Sequence, residues 1–104
     1  MAPTEGKFIL RVPDDIASVL KKLHPVIKSH IRSGLRTILE DPYSGKALKD
    51  EPKDLRSYRV KRYRIIYRVR LDRYQIDIIT IGPRKIIYEE TFRILSGNQN
   101  SENL

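Results

Sequence analysis

YRVKRYRIIYRVRL, residues 58–71, decides the architecture, because it interleaves cations with aromatic and β-branched side chains at the period of a strand. Within residues 63–71 the odd positions Tyr63, Ile65, Tyr67, Val69 and Leu71 form one face, and Arg64, Ile66, Arg68 and Arg70 form the other. The first face suits a core. The second is basic and is expected to face solvent. Widened to residues 56–73, the stretch sets Arg56, Arg59, Lys61, Arg62, Arg64, Arg68, Arg70 and Arg73 against Asp72 alone, a net +7 of the chain's +8. Charge concentrated on a rigid sheet surface points to a polyanionic partner, with RNA or DNA first.

The strand that follows takes its register from Asp72-Arg73. Read as a two-residue turn, this pair places Val69 opposite Ile76, Tyr67 opposite Ile78 and Arg68 opposite Asp77. Apolar then meets apolar, and a cation meets an acid. Carried further, the same register puts Arg64 opposite Ile81, beside residues 82–84. Gly82-Pro83 closes this strand; residues 86–95 read as a short strand or helix, and residues 96–104 (SGNQNSENL) as a disordered tail.

On the N-terminal side, residues 7–12 (KFILRV) form a short strand closed by Pro13. Asp14 is the expected cap of a helix whose apolar stripe is Ile16, Val19, Leu20 and Leu23. Pro25 suits the first turn of a second helix, with the stripe Ile27, Ile31, Leu35, Ile38 and Leu39. Gly34 interrupts that helix at a cost of roughly 1 kcal/mol. Asp41-Pro42 ends it, and residues 42–55 read as a loop. The fold class is therefore α+β, in the order β-α-α-β-β-β, with the helical hairpin packed on one face of a small, mainly antiparallel sheet.

Bulk properties narrow the function. At 104 residues the chain holds one domain, residues 1–95, ahead of the tail. It contains no cysteine, which excludes disulfides, thiolate metal sites and a cysteine nucleophile. No signal pattern or apolar run of about 18 residues is present, so a cytoplasmic protein with no membrane partner is expected. The acids are scattered, which argues against a metal site and against any metal or other cofactor. His24 and His30 read as ordinary residues of the helical hairpin, away from the basic strands.

Arginine, lysine and tyrosine remain. Such a set can cut RNA, because the 2′-hydroxyl of the substrate itself supplies the nucleophile. Arginine binds a phosphorane in bidentate fashion, a lysine crowded by cations gives up its proton more readily, and tyrosine stacks on a base. The same residues serve equally as a phosphate-binding or merely solubilising surface.

YRVK, YRIIYRV and IGPRKIIY together resemble the RelE/ParE toxin superfamily, on its RelE-like side, over residues 7–95; Asp41-Pro42 and residues 46–48 also fall where that family commonly carries similar residues. The resemblance implies a toxin of a type II toxin–antitoxin system: a ribosome-dependent, metal-independent mRNA endonuclease that inhibits translation. Its implied partners are a cognate antitoxin, mRNA in the ribosomal A site, ribosomal RNA, and operator DNA only through the antitoxin complex. By matching motif, Lys61 resembles the general base, Arg64 the arginine that stabilises the transition state, Arg84 the group that protonates the leaving oxygen or contacts phosphate, and Tyr88 the stacking tyrosine. Arg59, Arg62 and Lys85 are the implied RNA-binding cations.

Two departures stand out. Pro83 occupies the place of a histidine common in the family, and the turn before YRIIY is shortened to Arg62. The alternatives are a ParE-like poison of DNA gyrase, and a catalytically decayed member that binds antitoxin and takes part in operator regulation.

Overall fold

The structure, a computed structural model, describes residues 7–48 and 55–83. Its elements are β1 (Ile9–Arg11), α1 (Asp14–Lys21), α2 (Pro25–Glu40), β2 (Lys46–Ala47), β3 (Leu55–Val60), β4 (Tyr63–Arg70) and β5 (Gln75–Pro83), with a 3₁₀ turn at Leu71–Arg73. They form one sheet in the order β1-β5-β4-β3-β2, antiparallel throughout except that β1 runs parallel to β5. The α+β class and the helical hairpin are as the sequence predicts. β2 is an addition within the stretch read as loop: two residues are too few to show a period, and they pair only with Ser57 and Arg56. The segments expected at 86–95 and 96–104 lie outside the described residues.

Both helices start close to their expected positions, for partly different reasons. Asp14 is the first helical residue of α1 rather than its cap. Pro13 takes the cap position without a side-chain hydrogen bond, and Asp14 and Asp15 both lie in the first turn, where negative charge complements the dipole. Val19 is 48% exposed, so the α1 stripe is narrower than its spacing implies. Pro25 opens α2, and His24 caps it, Nδ1 accepting from the Val26 N–H at 3.1 Å.

Ile31 and Ile38 of α2 are buried in a core with Ile16, Val60, Ile65, Tyr67, Val69, Ile76, Ile78 and Ile81. Gly34 lies where α2 crosses β3. A Cβ there would sit 2.7 Å from Val60 Cγ2 and 3.2 Å from Tyr58 Cε2, so the helical cost of glycine permits the close approach. Gly34→Ala should gain about 1 kcal/mol of helix propensity but lose about 1–3 kcal/mol to overpacking. A net loss of stability is expected in urea titrations, in place of the gain that an exposed helix position would show.

The β4–β5 register holds near the turn: Val69 pairs with Ile76, Arg68 with Asp77, and Tyr67 with Ile78. The turn itself is longer than two residues, spanning the 3₁₀ segment and Tyr74, which takes φ 49°. Beyond Tyr67 the register shifts. Ile66 pairs with Thr80, so Ile79 is an extra residue, a β-bulge. The shift turns Ile81 into the core and brings Gly82, not Ile81, opposite Arg64.

The face away from the helices is not uniformly open, as the strand alternation had implied. Leu55 and Ile66 are buried there, in a second cluster with Leu48 and Ile79.

Candidate nucleic-acid interface

The basic window divides into parts that do different things. Arg56 pairs with Tyr67 across the strands and so points to the helix side. Its Nε donates to the Gly45 carbonyl at 2.9 Å, its Nη2 to the Tyr43 carbonyl at 3.4 Å, and its guanidinium lies 5.0 Å from the Tyr43 ring centre. It holds the β2 loop in place.

At the end of the sheet near Leu71–Arg73, Arg68 pairs in register with Asp77, but the ion pair goes to Arg70. Arg70 Nε donates to Asp77 Oδ2 at 2.6 Å, and Gln75 Nε2 donates to Oδ1 at 2.6 Å. Partial burial pushes the Asp77 carboxyl up. The hydrogen bonds from Arg70 and Gln75, with the charges of Arg70 and Arg11, outweigh it and hold the group below its ordinary value. The expected Arg68–Asp77 pair is thus replaced by the diagonal neighbour, which the long arginine stem reaches easily.

At the opposite end, Arg59 of β3, Arg64 of β4 and Gly82 of β5 lie in one row on the face away from the helices. Arg59 is exposed, with Nε donating to the Lys61 carbonyl at 3.4 Å; Arg64 is half-buried, and its Nε is shut off from solvent. Two cations directly opposite each other cost the sheet stability. An anion bound across them would relieve that cost. Gly82, itself buried, adds no side chain to the row.

Lys61 and Arg62 form the two-residue turn between the paired residues Val60 and Tyr63, and both are exposed. β3 therefore ends at Val60, and the turn takes Lys61 as well as the expected Arg62. Lys61 takes φ 56°, a left-handed conformation that costs a non-glycine residue about 1–2 kcal/mol. Pro83 ends β5 opposite Tyr63. Arg84, Lys85 and Tyr88 lie outside the described residues. The structure thus brings Arg59 and Arg64 together, with Lys61 and Arg62 at the adjoining turn.

Sequence reasoning missed His30. Far from being remote from the basic strands, it lines a cleft of about 240 Å³ between α2 and β3, together with Ser33, Gly34, Thr37, Tyr58, Arg59, Val60 and Lys61. The signal was available in the spacing: 30, 33, 34 and 37 form one helical face of small or polar residues. Among the described residues, no three His, Asp or Glu side chains gather to hold a cation, and no helix is long and apolar enough to cross a membrane.

Comparison with known proteins bears on this geometry. The model for the ParE toxin of the type II toxin–antitoxin system parDE matches residues 9–88. A doubly substituted mutant of the Escherichia coli toxin RelE in the free state superposes with a TM-score of 0.68 at 17% identity, covering 83% of this chain and 90% of that one. The RelBE2 toxin–antitoxin complex of Mycobacterium tuberculosis gives 0.66 at 23% identity, over 74% of this chain and 98% of that one. The intact E. coli RelBE complex gives 0.64 at 22% identity, over 74% and 95%. No curated protein matches.

Proposed function

The chain belongs to the RelE/ParE superfamily of toxins from type II toxin–antitoxin systems, and on that premise we propose that it is a ribosome-dependent mRNA endonuclease that inhibits translation. The observation that carries this reading is the row of Arg59 and Arg64 facing Gly82. It sets two arginines side by side on one face, next to the end of β5 whose sequence continues into Arg84 and Lys85.

The reaction is transesterification within the RNA. A base removes the proton from the 2′-hydroxyl, and the oxygen attacks the adjacent phosphorus. The resulting phosphorane collapses by expelling the 5′-oxygen, which takes up a proton. A 2′,3′-cyclic phosphate and a 5′-hydroxyl result. Arg64 stabilises the charge gathered on the phosphorane oxygens, where preorganised donors contribute most. Lys61 is the candidate base, Arg84 the candidate donor to the leaving oxygen, and Tyr88 the candidate stacking group. Arg59, Arg62 and Lys85 hold flanking phosphates, so binding should weaken steeply with salt. The partners proposed are mRNA and ribosomal RNA in the A site, and an antitoxin that also mediates contact with operator DNA. A cytoplasmic location is part of the same proposal.

A second reading, poisoning of DNA gyrase, is favoured by the description of the matching family as ParE toxin. One experiment separates the two. The chain is induced in cells, and mRNA 5′ ends and plasmid supercoiling are followed in the same samples. New ends within translated frames, with supercoiling unchanged, are the expected result. Altered supercoiling with intact mRNA would transfer the assignment to gyrase, and the absence of both effects would mark a decayed member.

A further inference from the structure

We propose that the cleft between α2 and β3 is a subsite for one nucleotide of single-stranded RNA, next to the phosphate held by Arg59 and Arg64. The inference rests on RNA being the substrate. β2 covers β3 only at Arg56 and Ser57, so β2 leaves residues 58–60 of β3 unpaired along that edge. α2 lies beside this stretch, brought close by Gly34. The cleft between them, about 240 Å³, falls somewhat below the roughly 300 Å³ at which drug-sized pockets begin.

Its lining is suited to a nucleotide. Tyr58 is half-buried and contributes an aromatic side chain, and His30 and Ser33 add a ring and a hydroxyl that can donate or accept. Arg59 and Lys61 supply positive charge at the mouth. Arg59 belongs both to this lining and to the Arg64 row, so a strand lying across that row reaches the cleft around the end of β3. An acidic peptide would also meet the cations. It would find a short cleft in which Tyr58 and Val60 are flanked by His30, Ser33 and Thr37, in place of the long apolar groove that an amphipathic helix requires.

The chain has only two histidines, His24 and His30, and His24 is engaged in capping α2. Their imidazoles therefore give a two-residue spectrum in which His30 reports on the cleft and His24 serves as an internal control. The test is an NMR titration of the full chain with an eight-nucleotide single-stranded RNA at low salt, with His30→Ala identifying the signals. The same oligonucleotide is followed by fluorescence anisotropy.

The expected result is a shift of the His30 imidazole with that of His24 unmoved, and an affinity about five- to tenfold weaker in His30→Ala, the loss of one polar contact. Ser33→Trp, which fills the cleft from an exposed helix position, should weaken binding at least as much while retaining the native amide spectrum. If RNA moves the Arg59 and Arg64 amides but neither variant alters affinity and His30 is silent, the subsite is wrong and the RNA reading stands. If RNA moves nothing, both fall. If His30 responds to a polyglutamate peptide but not to RNA, the cleft belongs to a protein partner, and the inference is overturned.

Discussion

Arg64→Ala is expected to lower mRNA cleavage on programmed ribosomes by about 10²–10³-fold, the usual cost of removing one preorganised donor from a developing oxyanion. The effect should fall on the rate at saturating ribosomes more than on the concentration needed for half-saturation, because the phosphorane carries more charge than the ground-state phosphate. Arg64→Lys should recover only part of the rate: an ammonium keeps the charge but loses the planar bidentate geometry. Stability is the control. The substitution removes a cross-strand repulsion with Arg59 together with the other contacts of a half-buried side chain, so Arg64→Ala should lose no more than about 1–3 kcal/mol against the parent. A variant that folds well and still cleaves at the parental rate would refute Arg64 as the transition-state cation.

The largest stability effect should come from Tyr67. Its ring is fully buried beneath the helices, and its hydroxyl ties β4 to the loop before β2, donating to the Pro42 carbonyl at 2.7 Å and accepting from the Gly45 N–H at 3.0 Å. Tyr67→Phe keeps the ring but strands both backbone groups, at about 1–3 kcal/mol. Tyr67→Ala adds a cavity, for about 3–5 kcal/mol in all. Against the 5–15 kcal/mol typical of a domain, the second change threatens folding outright.

The two variants should also differ from the parent in alkali. Burial raises the Tyr67 phenol above its ordinary value, and the Gly45 hydrogen bond and the Arg56 charge offset this only in part. A raised native pKa means that the contribution is complete below about pH 10 and is lost as the pH rises from there through the native value. Urea melts from pH 8 upward should therefore decline more steeply for the parent than for Tyr67→Phe. Parallel slopes would show that the phenol is not the group responsible.

The fold was legible where side-chain chemistry alternates cleanly. Tyr63, Ile65, Tyr67 and Val69 against Arg64, Arg68 and Arg70 leave one way to place β4, and the pairs Val69–Ile76 and Tyr67–Ile78 follow from it. The bulge was not legible, because Ile78, Ile79, Thr80 and Ile81 satisfy either face equally. Turn length was equally hidden, since a four-residue loop and a two-residue one give the same pairing near Arg68. Arg64 stands on the expected face with Arg59 paired beside it, whereas Arg56 is drawn away by the Tyr43 and Gly45 carbonyls and Arg70 by Asp77. These are contacts from other parts of the chain, which local pattern does not encode. For His30 the helical half of the cleft was legible in the spacing 30, 33, 34 and 37, but the strand residues that complete it lie about thirty residues further along.

The extra residue at Ile79 gives β5 two phases, much as a single inserted nucleotide gives a message two frames. Before it, the strand is read against the turn at Leu71–Arg73; after it, against the turn at Lys61 and Arg62. The Asp77 network and the Arg64 row therefore sit on one sheet without sharing a register. Evolution can retune the end of β5 that leads to Arg84 while leaving the frame of the opposite end untouched.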